Sequence, residues 1–175
     1  MFSNRIINIS ILLIFCLVLL MLNLYKKKSE SLGSFDKISD GEMISILIKN
    51  GSDSKSSFPE IRTNLNVEIA NTSQSTQQGL SGRDEIGSDG LLFVFPDSTL
   101  RTFWMFDMKF DLDFVWINGN EVVGFSKNIK KPIPGTASQD IERVSIKKYS
   151  DKVLELNSGD IDKYNLEVGD VVIIK

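Results

Sequence analysis

The 175-residue chain reads as a mainly-β protein, an antiparallel β-sandwich or partly closed barrel with one or two short helices, preceded by a single N-terminal transmembrane helix. Three observations predict this. From Asn64 onward, apolar runs of strand length alternate with Gly, Pro, Asn and Asp. An Asn118-Gly119 step stands between two of those runs, and both residue types tolerate the positive φ of a tight hairpin turn. Ile6 to Tyr25 is one apolar stretch unlike anything after it. The expected organisation is an anchor with its flanks over 1–28, a linker over 29–41 and a β domain over 42–175.

The apolar stretch is broken only by Asn8, Ser10 and Asn23. As a helix it would reach roughly 30 Å, the thickness of a bilayer's hydrocarbon core. Arg5 and Lys26, Lys27 and Lys28 bracket it, and Tyr25 suits the membrane interface. A cleaved signal peptide is the rival reading, because the strictest run, Ile11 to Leu22, has the length of an h-region. No alanine precedes Ala70, however, so the small-residue cleavage site is missing. Cys16 is a poor lipidation site, since bulky Phe15 precedes it and the apolar run continues past it. An uncleaved anchor is therefore expected. Its flanking charges, Arg5 plus the amino group before and three lysines after, lean weakly toward a cytoplasmic C-terminal domain.

Residues 29–41 are polar and lack periodicity, as a tether should. Met43 to Ile48 can form one strand, and 50–60 is a Ser/Gly-rich loop. Leu65, Val67 and Ile69 alternate with Asn66, Glu68 and Ala70, the pattern of a half-buried strand. Asn71-Thr72-Ser73 offers an N-cap for a short helix through Gln78, which Gly79 stops. Leu91 to Phe95 is a continuous apolar run ended by Pro96, hence a strand buried on both faces. Thr102–Phe106, Leu112–Ile117, Val153–Leu156 and Val171–Ile174 are further strands, with a helical turn or two over Ser158–Tyr164.

Composition removes several chemistries. The chain has no histidine, which excludes His-dependent triads, His-ligated metals and a histidine pH switch. One cysteine excludes an internal disulfide and Cys-clustered metals. No cofactor and no metal are expected. Residues 29–175 carry 16 basic and 23 acidic side chains, net −7, which argues against a nucleic-acid partner. The stretch 127–152 runs the other way at net +4, either solvated loop lysines or an attraction for an anionic polymer.

The order of motifs resembles the domain-of-unknown-function 192 family. The pieces are Val67-Glu68-Ile69-Ala70, Gly79-Leu80-Ser81-Gly82-Arg83, Gly90-Leu91-Leu92-Phe93-Val94-Phe95-Pro96 and Phe103-Trp104-Met105. Leu112-Asp113, Val153-Leu154-Glu155-Leu156 with Gly159, and Val168-Gly169-Asp170 complete the series over about residues 64–174. Asp111 stands where many members have proline before Leu-Asp. The resemblance implies a compact mainly-β fold, often exported or lipid-anchored, with no established activity. It therefore favours an extracytoplasmic domain against the one-charge margin of the flanks.

Arg83, Asp113 and Glu155 are the candidate site charges, with Trp104 as a candidate ligand-stacking residue. Asp113 and Glu155 lie inside apolar strands, where a carboxylate needs a groove or a partner. Arg83 can satisfy one of them bidentately as a structural tie. Alternatively the two carboxylates act as acid and base with Arg83 on an anionic group. Asp107, Asp111 and Asp113 can also be read as oxygen ligands for a hard cation, a weaker pattern than an EF-hand. The aromatic run Phe103–Phe106 is core or ligand platform. The expectation is a membrane-anchored, extracytoplasmic binding or interaction module of the cell envelope. A carboxylate-dependent hydrolase of an envelope polymer such as a glycan is the alternative, and a structural partner of another envelope protein a third.

Overall fold

The computed structural model describes residues 17–20, 35–51 and 60–175. The chain separates into two compact units, Met1–Ser34 and Phe35–Lys175. In the first, residues 17–20 are helical, and the rest of the expected span over 6–25 lies outside the described residues. No helix among the described residues is long and apolar enough to cross a membrane. Most of the expected loop over 50–60 likewise lies outside them.

The second unit is a closed seven-stranded barrel. Its strands are β1 (Met43–Lys49), β2 (Ile61–Ala70), β3 (Gly90–Thr99), β5 (Leu112–Asn118), β6 (Glu121–Ile129), β8 (Ser150–Asn157) and β9 (Val171–Ile174). They close in the order β1-β2-β3-β8-β5-β6-β9, while β4 (Thr102–Trp104) pairs with β7 (Arg143–Ser145) in a separate two-stranded sheet. The helices are α1 (Ser73–Gln78) and α2 (Asp160–Lys163).

Three expectations are corrected. The sheet is not wholly antiparallel, because β2 and β3 pair in parallel, Val67 opposite Gly90 through Ala70 opposite Phe93. The connection through α1 reverses the chain before it re-enters the barrel, as parallel pairing requires. Pro96 does not end β3, which runs on to Thr99 through an irregularity between Val94 and Thr99. A proline without an N–H is tolerated where the ladder is already interrupted. The linker gives way to folded chain at Phe35. Phe35–Lys37 forms a 3-10 turn, the Phe35 ring is buried in the barrel core, and Asp40 accepts bonds from Asn71 N–H and the Thr72 and Ser75 hydroxyls.

The remaining elements follow the sequence closely. Thr72 caps α1 through a reciprocal box with Ser75, and Gly79 at φ 51 stops it. The β5–β6 hairpin pairs Asn118 with Glu121, so Gly119 and Asn120 are the central turn residues. Asp151 accepts the Gly119 N–H at 3.0 Å and the buried Lys152 ammonium donates to the Gly119 carbonyl at 2.8 Å. β7 has no counterpart among the expected strands. Three residues with one buried side chain, Val144, are too short to show a period.

Strands β3, β8 and β5 are adjacent and apolar on both faces. Leu92, Val94, Val115, Ile117, Leu154 and Leu156 fill the barrel. Leu91, Phe93, Phe114, Trp116 and Val153 point outward into a second core closed by Leu80, Met105, Met108 and Val144. Phe103 of β4 plugs that outer layer, its ring 4.9 Å from Phe93, 5.7 Å from Phe114 and 5.6 Å from Trp116.

Gly90 opens β3 where a side chain has no room: a Cβ would lie 2.8 Å from the Glu155 carbonyl oxygen and 3.0 Å from methyls of Leu154 and Leu156. Gly90→Ala is expected to cost about 1–3 kcal/mol as overpacking, read as a lower urea midpoint at unchanged slope.

Candidate functional site

Side-chain alternation divides the three expected site charges. Cross-strand neighbours share a face, and Asp113 stands opposite Leu156 while Glu155 stands opposite Phe114. Leu156 belongs to the barrel interior and Phe114 to the outer core. Asp113 and Glu155 therefore project from opposite faces of the β5–β8 pair and do not form an acid–base couple.

Asp113 is fully buried and satisfied by backbone. Its carboxylate accepts N–H groups of Asn128 at 2.7 Å, Gly159 at 2.9 Å and Ile161 at 3.1 Å, tying β5 to β6 and to the start of α2. Asn128 is held at φ 56 beside it. Those three donors also answer the cation reading of Asp107, Asp111 and Asp113. Asp111 meanwhile binds the Lys130 ammonium and the Lys131 N–H, and no metal-like cluster of three or more acidic, Cys or His groups exists among the described residues.

Arg83 does form a bidentate tie, but with Glu68 of β2, at 2.6 and 2.8 Å. The Arg83 hydrogen bonds hold the Glu68 carboxyl below its usual range. Glu68 sits in the alternating β2 pattern as an ordinary outward-facing polar residue, so nothing in the sequence marks it as the partner. Parallel pairing of β2 and β3 decides the matter by bringing the 83–90 loop back across Glu68.

Glu155 is left as the unusual group. It is 5% exposed, and its Oε2 has no hydrogen-bond partner among the described residues. Burial pushes its carboxyl up to about 8 from an ordinary value of 4.5, against a smaller opposing pull from the Arg83 charge. At neutral pH it is a carboxylic acid, a donor as well as an acceptor.

Glu155 lines a cleft of about 960 Å³ between α1, the segment Leu100–Met108 and the outer face of β3. Two hydrogen bonds hold the lips together: Gly82 N–H donates to the Asp107 carbonyl at 3.0 Å, and the Ser81 hydroxyl to that of Phe106 at 2.7 Å. Gly82 takes φ +78, and a Cβ there would lie 3.2 Å from the Asp107 carboxylate. Asp107 itself adopts φ 53, a strained setting for a residue with a side chain. Within the aromatic run the faces alternate. Met105 is buried and Phe103 packs on the outer core, while Trp104 and Phe106 are 40% and 44% exposed. Their rings lie 4.9 Å apart, and the Arg143 guanidinium stands 4.8 Å from the Trp104 ring. The run thus serves the core with Phe103 and Met105 and leaves Trp104 and Phe106 exposed.

Cleft residues outside the expected set are Gln74, Gln77, Gln78 and Arg101. Gln74, Gln77 and Gln78 have the i, i+3, i+4 spacing of one helix face, a signal visible in sequence once α1 is placed. Arg101 stacks 3.6 Å over Phe95 and bonds the Ser150 carbonyl and Asp97. The basic stretch over 127–152 is largely occupied within the molecule. Lys127 pairs with Asp162, Lys130 with Asp111, Lys131 donates to the Lys109 carbonyl, and Lys152 is buried.

The chain belongs to the domain-of-unknown-function 192 family, described as "Uncharacterized ACR", whose profile matches residues 56–174. The fold is shared with a Sinorhizobium meliloti 1021 protein provisionally named a transcription regulator. That match has 20% identity and TM-score 0.61, covering 78% of this chain and 97% of the other. A Novosphingobium aromaticivorans DSM 12444 protein of unknown function matches at 23% identity and TM-score 0.58, covering 78% and 88%. At such identities the likeness carries the fold alone. No curated protein matches the chain.

Two outcomes test these placements. Removing the Asp113 carboxylate strands three backbone donors, so Asp113→Ala is expected to cost about 3 kcal/mol or more by urea unfolding. Glu155 has a folded pKa above its unfolded one, so the native state keeps a proton that the unfolded state releases. Its contribution to stability is full below about pH 4.5 and is lost as pH rises toward about 8. Glu155→Gln should flatten the fall in melting temperature over that window, with the wild-type curve as reference.

Proposed function

We propose that this protein is a membrane-anchored ligand-binding module of the cell envelope whose working site is the cleft over Glu155. Glu155, a residue that lines a large cleft and keeps a buried carboxyl oxygen without a partner among the described residues, is the observation that carries the reading. Leaving a buried polar atom unpaired costs on the order of 1–3 kcal/mol, which a bonded ligand would recover. Exposed Trp104 and Phe106 on the rim supply contact area that folding leaves uncovered. The apolar stretch Ile6 to Tyr25 with its basic flanks supports an anchor, and the family's frequent export supports an outward-facing domain.

A second reading rests on the same carboxyl. An acid that stays protonated at neutral pH is suited to protonate a leaving group, and Asp107 is the other carboxylate lining the cleft. A hydrolase of an envelope polymer would use Glu155 as acid and Asp107, in place of Asp113, as its partner.

Full-length protein with a C-terminal tag, expressed in bacteria, is expected in the carbonate-washed membrane pellet and open to protease on intact cells. Recovery in the soluble fraction, or protection until the cells are lysed, would refute the anchored, outward-facing reading. Full-length protein in nanodiscs is also expected to co-sediment with purified cell-wall sacculi, at least tenfold less for Trp104→Ala with Phe106→Ala. Loss of sacculus mass or release of soluble fragments, abolished by Glu155→Gln, would favour the hydrolase.

A further inference from the structure

Resting on the cleft as the working site, we infer that its ligand is an uncharged oligosaccharide, with sugar faces on Trp104 and Phe106 and hydroxyls on Gln74, Gln77 and Glu155. Each wall of the cleft selects for part of that description. Trp104 and Phe106 pack on one another at the rim, centroids 4.9 Å apart and planes tilted 38°, and the aromatic surface they leave exposed suits the apolar face of a sugar ring. Facing them, α1 presents amides, which donate and accept at once as a hydroxyl does. Gln78 is engaged with the Ser81 carbonyl, whereas Gln74 and Gln77 are exposed and make no side-chain hydrogen bond among the described residues. At the floor, Glu155 supplies one more group able to give and take a hydrogen bond.

Charge argues for neutrality. The cation lining the cleft is Arg101, and its guanidinium is already held by Phe95, Asp97 and Ser150. Among the described residues the lining holds no second cation for a phosphate or carboxylate, Arg143 lies outside it on the Trp104 ring, and exposed Asp107 repels an anion. A wholly apolar peptide segment fits poorly as well, because three glutamines, two threonines and a serine stand among the apolar side chains of the lining and would lose water without gaining partners. The volume, about 960 Å³, accommodates more than a single ring.

The two tryptophans make the test direct. Trp104 is at the rim, while Trp116 is fully buried with its indole N–H on Ser126, so the second reports on folding alone. Full-length protein in nanodiscs, its indole N–H groups observed by NMR, is titrated with the tetramers of glucose and N-acetylglucosamine. An uncharged hexapeptide and inorganic phosphate serve as the other arms. At least one tetramer is expected to shift Trp104 in a saturable way and leave Trp116 in place. Gln74→Ala with Gln77→Ala should weaken binding at least tenfold with both tryptophan signals native-like. Wild-type affinity should fall as pH rises past 8, and the affinity of Glu155→Gln should not. Saturable shifts from the peptide or phosphate but neither tetramer would overturn the saccharide assignment and leave the cleft as the site. A native-like Trp104 signal unmoved by every probe would overturn both.

Discussion

The three central strands β3, β8 and β5 are apolar on both faces, and most of the molecule's organisation answers to that. A barrel interior consumes one face. The other must be covered, which requires the small β4–β7 sheet, the Leu80–Ile86 loop and the Phe103 plug. The outer layer is therefore a second core laid over a closed barrel. Its cover is pieced together from short segments, and where they part the cleft opens.

That construction explains how a buried acid comes to line an open site. Glu155 occupies the outward-facing position between Val153 and Asn157 on β8, a place the strand's period assigns to the outer core. Its partner strands pin its backbone on both sides, Leu91 on β3 and Phe114 on β5. The strand's period turns the side chain away from the filled barrel, and Arg83's guanidinium is hydrogen-bonded to Glu68 instead. A group so fixed and so poorly solvated carries a standing cost in stability. Asp113, one strand over and one face away, shows the opposite solution. There a carboxylate is spent wholly on backbone donors to join β5, β6 and α2.

Local signals carried much of this architecture. The Thr72 cap and the stop at Gly79 appear where the residues place them, while the Asn118-Gly119 hairpin turns one residue later and the doubly apolar β3 runs on past Pro96. Elements whose definition is not local escaped. β7 exists because Arg143–Ser145 finds Thr102–Trp104 across some forty residues of chain, a pairing no period announces. The parallel β2–β3 pair, and with it the Arg83–Glu68 tie, depends on the path of the chain around α1.

From its residues alone the chain settles that it is mainly β, lacks histidine chemistry, carries a β body of about the length found, and owns carboxylates and one conspicuous arginine as polar equipment. It also settles its family through the order of its motifs. Only the folded molecule decides which charges meet. Strand order and register fix whether two carboxylates in apolar strands share a face, and those are set by distant pairings and barrel closure. A period of two tells each residue that it alternates, but the partner strand determines what lies on the side it faces.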